Sequence, residues 1–244
     1  MNLKYKETNA MFHYRQHEQT IQCNILYKGY HILDRSSTEN NIGCLETTEL
    51  ESCHHISSLK SGEMWLSDYL GNLILIDNSQ KICKHIFSSG GYGFHSATEA
   101  GTLLLADCLA NQITEVQSNY KTTVLFSTGK WSPRCIFSSR LSGDILIGVK
   151  SRLGGFVVRY NRKGKELQRI LAKANGEKIY LEPIYITENK NGDICTSDWY
   201  KEALVVVNKS GLHRFSYNGA NGAPLFPGSV CTDSRGHILL FESS

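Results

Sequence analysis

Apolar and polar positions along the chain follow one recurring unit: a glycine, a short polar step, three apolar residues and a small or acidic residue. The unit occurs five times and begins at Gly62, Gly101, Gly143, Gly192 and Gly236. The steps between these glycines are 39, 42, 49 and 44 residues. A period of about 40–45 residues with several short strands per unit is typical of β-propeller blades. We therefore expect a propeller.

Each full unit has the pattern of four short β-strands. In the fourth unit the strands are predicted at residues 183–187, 193–197, 203–207 and 212–217, and Asn191-Gly192 favours a tight hairpin turn. The inner strands are almost continuously apolar, as expected where neighbouring blades cover both faces, and the outer strands alternate. No segment of the repeat has a helical period. The sequence predicts an all-β propeller with four full blades and half of a fifth.

The repeat also divides the chain. Residues 1–41 are polar and contain no copy of the unit, so we expect a partly disordered N-terminal lead-in. The propeller is predicted to occupy residues 42–244. The fifth unit has only its first two predicted strands, and an open ring would expose strand edges. Two explanations stay open: the N-terminal segment supplies an outer strand, within residues 42–48, or the chain is a truncated version of a longer one.

Composition is that of an ordinary globular protein, with 41% hydrophobic and 20% charged residues. No apolar run approaches the roughly 18 residues that span a membrane, and the start lacks the apolar stretch of a signal peptide. We therefore expect a cytoplasmic protein without a membrane partner. Within the net charge of +3, residues 121–217 hold 17 basic and 8 acidic side chains. This asymmetry favours an anionic partner, or reflects scattered, solvated lysines.

Candidate chemistry inside the chain is sparse. The eight cysteines form no C-x-x-C pair, so we expect buried thiols, with no metal, cofactor or catalytic residue. Asp68, Asp107 and Asp198 each end the second strand of a unit. They would either meet at the channel to bind calcium or accept hydrogen bonds in their own turns. Their shared repeat position favours the turn role. His95 is expected to be an isolated structural histidine.

One end of the predicted propeller carries both cations and aromatics. Loops after the second strand and loops between blades emerge on the same face. They contain Tyr69, Trp131, Arg134, Lys150, Arg152, Trp199, Tyr200 and Lys201. Cations pair with phosphates and aromatic rings stack on unpaired bases, whereas Trp, Tyr and Arg also dominate protein hot spots. The alternative is that Trp131 and Trp199 pack between blades.

The repeats resemble a known family. Residues 186–199 (ITENKNGDICTSDW), with 203–207 (ALVVV), 211–217 (GLHRFSY) and 230–233 (VCTD), are similar to blades of NHL-repeat, six-bladed propellers. These propellers sit at the C-terminus of tripartite-motif proteins of the TRIM2, TRIM3 and TRIM71 type, which are E3 ubiquitin ligases. The resemblance covers roughly residues 45–244. It implies a recognition module associated with protein ubiquitination and proteasomal degradation.

The resemblance also has limits. The zinc-binding RING and B-box modules and the coiled coil of such ligases are not in this sequence, so ubiquitin transfer is not expected here and the chain is predicted not to be an enzyme. The resemblance implies a protein partner or substrate, or single-stranded or hairpin RNA, on one propeller face. Alternatives are a metal-dependent propeller hydrolase or lyase, or a stand-alone RNA-binding propeller.

Overall fold

The computed structural model describes residues 10–17, 20–25, 42–47, 49–50, 53–79, 81–88, 94–152, 154–219 and 224–242. The described residues form β-strands joined by turns, without a helix. The first three strands, β1 (Ala10–His17), β2 (Thr20–Ile25) and β3 (Ile42–Thr47), form one antiparallel sheet in the order β2-β1-β3.

The next sixteen strands form four four-stranded antiparallel sheets, which are the blades of a propeller. Blade I contains β4 (His55–Ser58), β5 (Met64–Ser67), β6 (Asn72–Ile76) and β7 (Ile82–Phe87). Blade II contains β8 (His95–Ala97), β9 (Leu103–Asp107), β10 (Gln112–Val116) and β11 (Thr122–Ser127). Blade III contains β12 (Ser132–Ser138), β13 (Ile145–Ser151), β14 (Gly154–Tyr160) and β15 (Glu166–Ile170), and blade IV contains β16 (Pro183–Glu188), β17 (Ile194–Asp198), β18 (Ala203–Val207) and β19 (His213–Tyr217). A fifth sheet pairs β20 (Pro227–Thr232) with β21 (Ile238–Glu242).

The first strand of each blade lies at the centre. β4 contacts β8, β8 contacts β12, β12 contacts β16 and β16 contacts β20. Consecutive blades therefore surround a common axis, and the predicted all-β propeller with four full blades and two further strands is confirmed.

The core lies between adjacent blades. Leu104 and Ile113 of blade II pack with Ile147 and Val158 of blade III, and all four are fully buried. Burying each such side chain contributes about 1.5–3 kcal/mol. Second strands such as β9 are buried at every position, whereas the outer strand β7 alternates between half-buried and exposed residues. The predicted contrast between inner and outer strands is therefore present.

The leading glycine of each unit has a conformational role. Gly62, Gly101, Gly143, Gly192 and Gly236 have φ values of 93°, 81°, 75°, 81° and 92°. Side-chain-bearing residues rarely adopt this left-handed region. The glycine therefore turns the chain between the first and second strands, which explains why the repeat begins with it.

The N-terminal strands do not extend the fifth sheet. Residues 42–47, a candidate outer strand of the propeller, pair with β1 in the described strand pairings. β1 and β2 lie within residues 1–41, where the sequence contains no repeat. The domain boundary at residue 42 stays a prediction.

Candidate interaction face

One end of the propeller carries the loops that follow the second and fourth strands of each blade. We call it the aromatic face. Among the described residues, eight large apolar side chains in these loops are between 38% and 75% exposed: Tyr69, Leu70, Leu109, Leu171, Leu181, Trp199, Tyr200 and Phe226. Where exposed apolar side chains form a contiguous patch, they mark an interaction surface.

Buried aspartates build the loops of this face. Asp68 Oδ1 accepts hydrogen bonds from the N–H groups of Leu70 and Asn72, each at 2.9 Å. Asp107 Oδ1 accepts from the N–H groups of Leu109 (3.0 Å) and Ala110 (2.8 Å). These carboxylates thus hold turns of their own blades, in agreement with the turn role favoured from the repeat.

Asp198 performs the same task across a longer distance in sequence. Its side chain is fully buried and accepts from the N–H groups of Leu181 (2.7 Å), Glu182 (2.9 Å) and Lys201 (3.1 Å). Burial raises the pKa of the Asp198 carboxyl, while the three N–H groups favour the charged form. The carboxyl group therefore joins the loop before blade IV to the loop that carries Trp199 and Tyr200.

Most cations predicted for this face already have internal partners. Lys150 Nζ lies 2.7 Å from a carboxylate oxygen of Glu182, and Arg134 Nη2 lies 3.8 Å from the other oxygen. The Lys150 ammonium also lies 5.1 Å from the centre of the Tyr200 ring. Lys201 donates to the backbone carbonyl of Lys178 at 2.8 Å. Glu182 thus offsets part of the charge of Lys150 and Arg134, and Lys201 is held by a carbonyl, so these cations are less available to a phosphate.

The two tryptophans differ. Trp131 is half-buried and packs edge-on against Phe156, with 5.0 Å between ring centres. Its ring is covered by the charged groups of Lys130 and Arg169, at 4.8 Å and 5.6 Å. Trp199 is 40% exposed, and its ring centre lies 5.9 Å from that of Phe226, the residue before β20. Trp131 therefore packs against the core between blades II and III, and Trp199 contacts the segment that leads into the fifth sheet.

The structure brings together five of the eight residues predicted for the face, at the border of blades III and IV: Arg134, Lys150, Trp199, Tyr200 and Lys201. Of the remaining three, Tyr69 belongs to blade I and is 49% exposed, Trp131 is packed, and Arg152 is exposed. Three residues missed from the sequence complete the cluster: Leu181, Glu182 and Phe226. Leu181 and Glu182 could have been identified from the sequence, because they directly precede Pro183, which begins a blade.

The axis holds a second group of aromatic residues. The first strands surround a cavity of about 250 Å³ whose lining includes His54, His55, His95 and Tyr185. Tyr185 of blade IV donates a hydrogen bond to the His54 carbonyl at 2.8 Å, and its ring stacks on His55 at 5.7 Å. The ring centres of His95 and His55 lie 4.6 Å apart. The expectation that His95 is isolated was wrong, because residues 40 apart in sequence meet at the axis.

These imidazoles are poor candidates for acid–base work. Burial lowers the pKa of His55 to about 4, with a further contribution from His54, and burial lowers the pKa of His95 well below its usual value. His95 Nδ1 lies 2.8 Å from Ser57 Oγ, and this hydroxyl donates to the His95 carbonyl at 3.2 Å. Because burial makes His95 a weak base, the contact between Ser57 and His95 joins blades I and II rather than activating a nucleophile.

Among the described residues, no group of three or more His, Cys, Asp or Glu side chains is arranged to hold a metal ion. The same part of the chain contains no helix long and apolar enough to cross a membrane.

Comparison with known proteins agrees with the class that the fold defines, a β-propeller. The structure superposes on a chain of the nidogen/laminin complex with a TM-score of 0.67 and 12% identity, over 96% of this chain and 86% of that one. It superposes on a streptogramin B lyase with a TM-score of 0.61 and 15% identity, over 82% and 66% of the two chains. At these identities the likeness concerns the fold alone.

One curated relative carries a more particular indication. The chain is 29% identical over 99 residues to the E3 ubiquitin-protein ligase TRIM56 of Bos taurus. The match spans 41% of this chain and 13% of the ligase. No family model matches the chain. The chain is therefore a β-propeller with partial similarity to a tripartite-motif ligase.

Proposed function

We propose that this propeller is a non-enzymatic recognition module of a TRIM-NHL-like protein, which binds a protein partner through the aromatic face. The observation that carries the proposal is the cluster of Leu181, Trp199, Tyr200 and Phe226, whose side chains are 38% to 63% exposed. Aromatic anchors surrounded by polar groups are typical of protein hot spots. The partial similarity to TRIM56 supports a role in ubiquitin-ligase pathways.

Protein is favoured over RNA on this face because of the charges. Lys150 and Arg134 already share Glu182, so a phosphate would have to compete with a carboxylate 2.7 Å from Lys150. An apolar partner side chain faces no such competition. Catalysis is disfavoured because the axial histidines have lowered pKa values and internal partners. The lyase likeness supports a propeller and no particular reaction.

The test compares two matched double variants. Trp199→Ala/Tyr200→Ala removes exposed aromatics of the face, and Phe215→Ala/Tyr217→Ala removes aromatics of similar exposure from the outer strand β19. Proteins captured from extracts by the unaltered chain are identified, and purified candidates are titrated calorimetrically against all three forms. The expected result is a loss of at least about tenfold in affinity for the first variant only. Equal binding by all three forms would refute the proposal.

A second measurement concerns the pathway. The ubiquitination level of the identified partner is compared in cells that express the unaltered chain or Trp199→Ala/Tyr200→Ala. A role in ubiquitin-ligase pathways predicts a difference between the two. Binding without any change in ubiquitination would keep the recognition function and remove the pathway.

A further inference from the structure

The opposite end of the propeller carries the turns between first and second strands and between third and fourth strands. We call it the basic face. Five exposed cations lie in these turns from blade III to the fifth sheet: Lys163, Lys165, Lys190, Lys209 and Arg235. Within the described residues none of the five forms a salt bridge.

Several acidic side chains of the same region form salt bridges with other cations. Arg159 pairs with Glu188 at 2.7 Å and with Asp144 at 3.5 Å. Arg214 pairs with Asp193 at 2.9 Å, and Arg162 pairs with Glu115. Within the described residues these acids therefore form no salt bridge with the five exposed cations, whose charge contributes to a potential that attracts anions.

The turns that carry Lys190, Lys209 and Arg235 lie close together, and strand β15, which follows Lys163 and Lys165, contacts the Lys209 turn. Lys190 Nζ lies 3.5 Å from the carbonyl of Ser234, the residue before Arg235. Lys209 lies against Gly192, two residues after Lys190. The Lys209 carbonyl accepts a hydrogen bond from Gln168 of blade III at 3.3 Å. The cations thus form one arc across blades III and IV and the fifth sheet.

We propose that this arc is a docking surface for an acidic segment of a partner protein. Four of its five cations are lysines, which attract anionic groups as point charges. Asp144, Asp193 and Asp233 lie between them on the same face. A nucleic-acid backbone carries a charge about every 1.7 Å in a duplex and would bring phosphates against these carboxylates. A peptide can place separate carboxylates against the cations alone.

The test uses a fluorescent synthetic peptide with five glutamates separated by Gly-Ser pairs, and measures anisotropy at low and at physiological salt. Lys163→Gln/Lys165→Gln/Lys209→Gln removes three charges from the arc. Lys84→Gln/Lys130→Gln/Lys178→Gln removes three charges elsewhere and is the matched control. The expected result is binding at low salt that weakens as salt rises, with about a tenfold loss for the arc variant and little change for the control.

Other outcomes contradict the proposal. Equal losses in the two variants would mean that net charge alone attracts the peptide. Tighter binding of a 20-base-pair RNA duplex, or of vesicles that contain phosphatidylserine, would assign the surface to another class of partner. Absence of peptide binding at low salt would also overturn it. Since Trp199→Ala/Tyr200→Ala leaves the arc intact, retained peptide binding in that variant separates this surface from the aromatic face.

Discussion

Both faces of the propeller carry cations, and the two sets of cations differ in whether a carboxylate pairs with them. On the aromatic face, Lys150 and Arg134 converge on Glu182 and leave aromatic rings as the exposed feature. On the basic face, Lys163 and Lys209 extend from turns without a salt bridge among the described residues. The charge of a segment therefore does not decide which partner it binds. The positions of the opposite charges that the fold places beside its cations decide it.

The largest effect, a loss of stability, is expected from removing the carboxylate that joins two loops of the aromatic face. Asp198→Ala removes a fully buried acceptor of three N–H groups, so the free energy of unfolding should fall by about 3 kcal/mol. Urea unfolding measures the loss. Asp233→Ala, which also removes an acceptor of two N–H groups but in an exposed turn, should cost less than about 1 kcal/mol. Equal losses would mean that burial is not what distinguishes the two turns.

Acidification should weaken the axis between the faces. Because the pKa of His55 is lowered from 6.5 to about 4, the unfolded chain binds more protons below pH 6.5. The stabilisation is therefore fully present above pH 6.5 and is lost as the pH falls towards 4, by up to about 3 kcal/mol for His55. Burial lowers the pKa of His95 as well, which acts in the same direction.

Urea unfolding at pH 7.5, 5.5 and 4.5 tests this expectation. In His55→Phe the slope of stability against pH should become shallower, because the titrating group is gone. His213→Gln, at the outer strand β19, should keep most of the slope. A slope unchanged in His55→Phe would remove the axial cluster as its cause.

The smallest effect is expected from a substitution that makes the aromatic face resemble the basic face. Glu182→Gln removes the carboxylate charge that Lys150 and Arg134 share. Affinity for a single-stranded 20-nucleotide RNA at low salt should rise about threefold to tenfold, because a negative charge that competes with phosphate is lost. Stability should fall by about 1–2 kcal/mol. Fluorescence anisotropy across a salt series measures the affinity, and the exposed Glu202→Gln is the control. An unchanged RNA affinity would show that pairing with Glu182 does not restrain these cations.

Much of the fold could be predicted because its determinants are local. The glycines that start each unit turn the chain by adopting positive φ, and the apolar triplet after each forms the buried second strand. Both are visible in consecutive residues. The turn role of Asp107 was also accessible, since its partners follow within three residues.

The site was less accessible because its contacts join distant residues. Arg134 and Glu182 lie 48 positions apart, and His55 and His95 lie 40 apart. Nothing in either local sequence indicates the other. The basic face is a different case: the repeat assigns each turn to one end of the propeller, so its cations could have been placed from the sequence. The absence of salt bridges to these cations within the described residues could not be predicted from the sequence, because it depends on which acidic side chains the fold brings to Arg159 and Arg214.

The hydrogen bond from Tyr185 to the His54 carbonyl has a consequence for folding order. It joins residues 131 positions apart, whereas the hairpins of each blade join residues close in sequence. Contacts between distant residues form only after a large loop has closed, and they slow folding. We therefore expect the blades to form first and the axis to close last. Until that step, the inner strands are accessible to other chains, so the rate of axial closure sets how long a newly made chain is prone to aggregate.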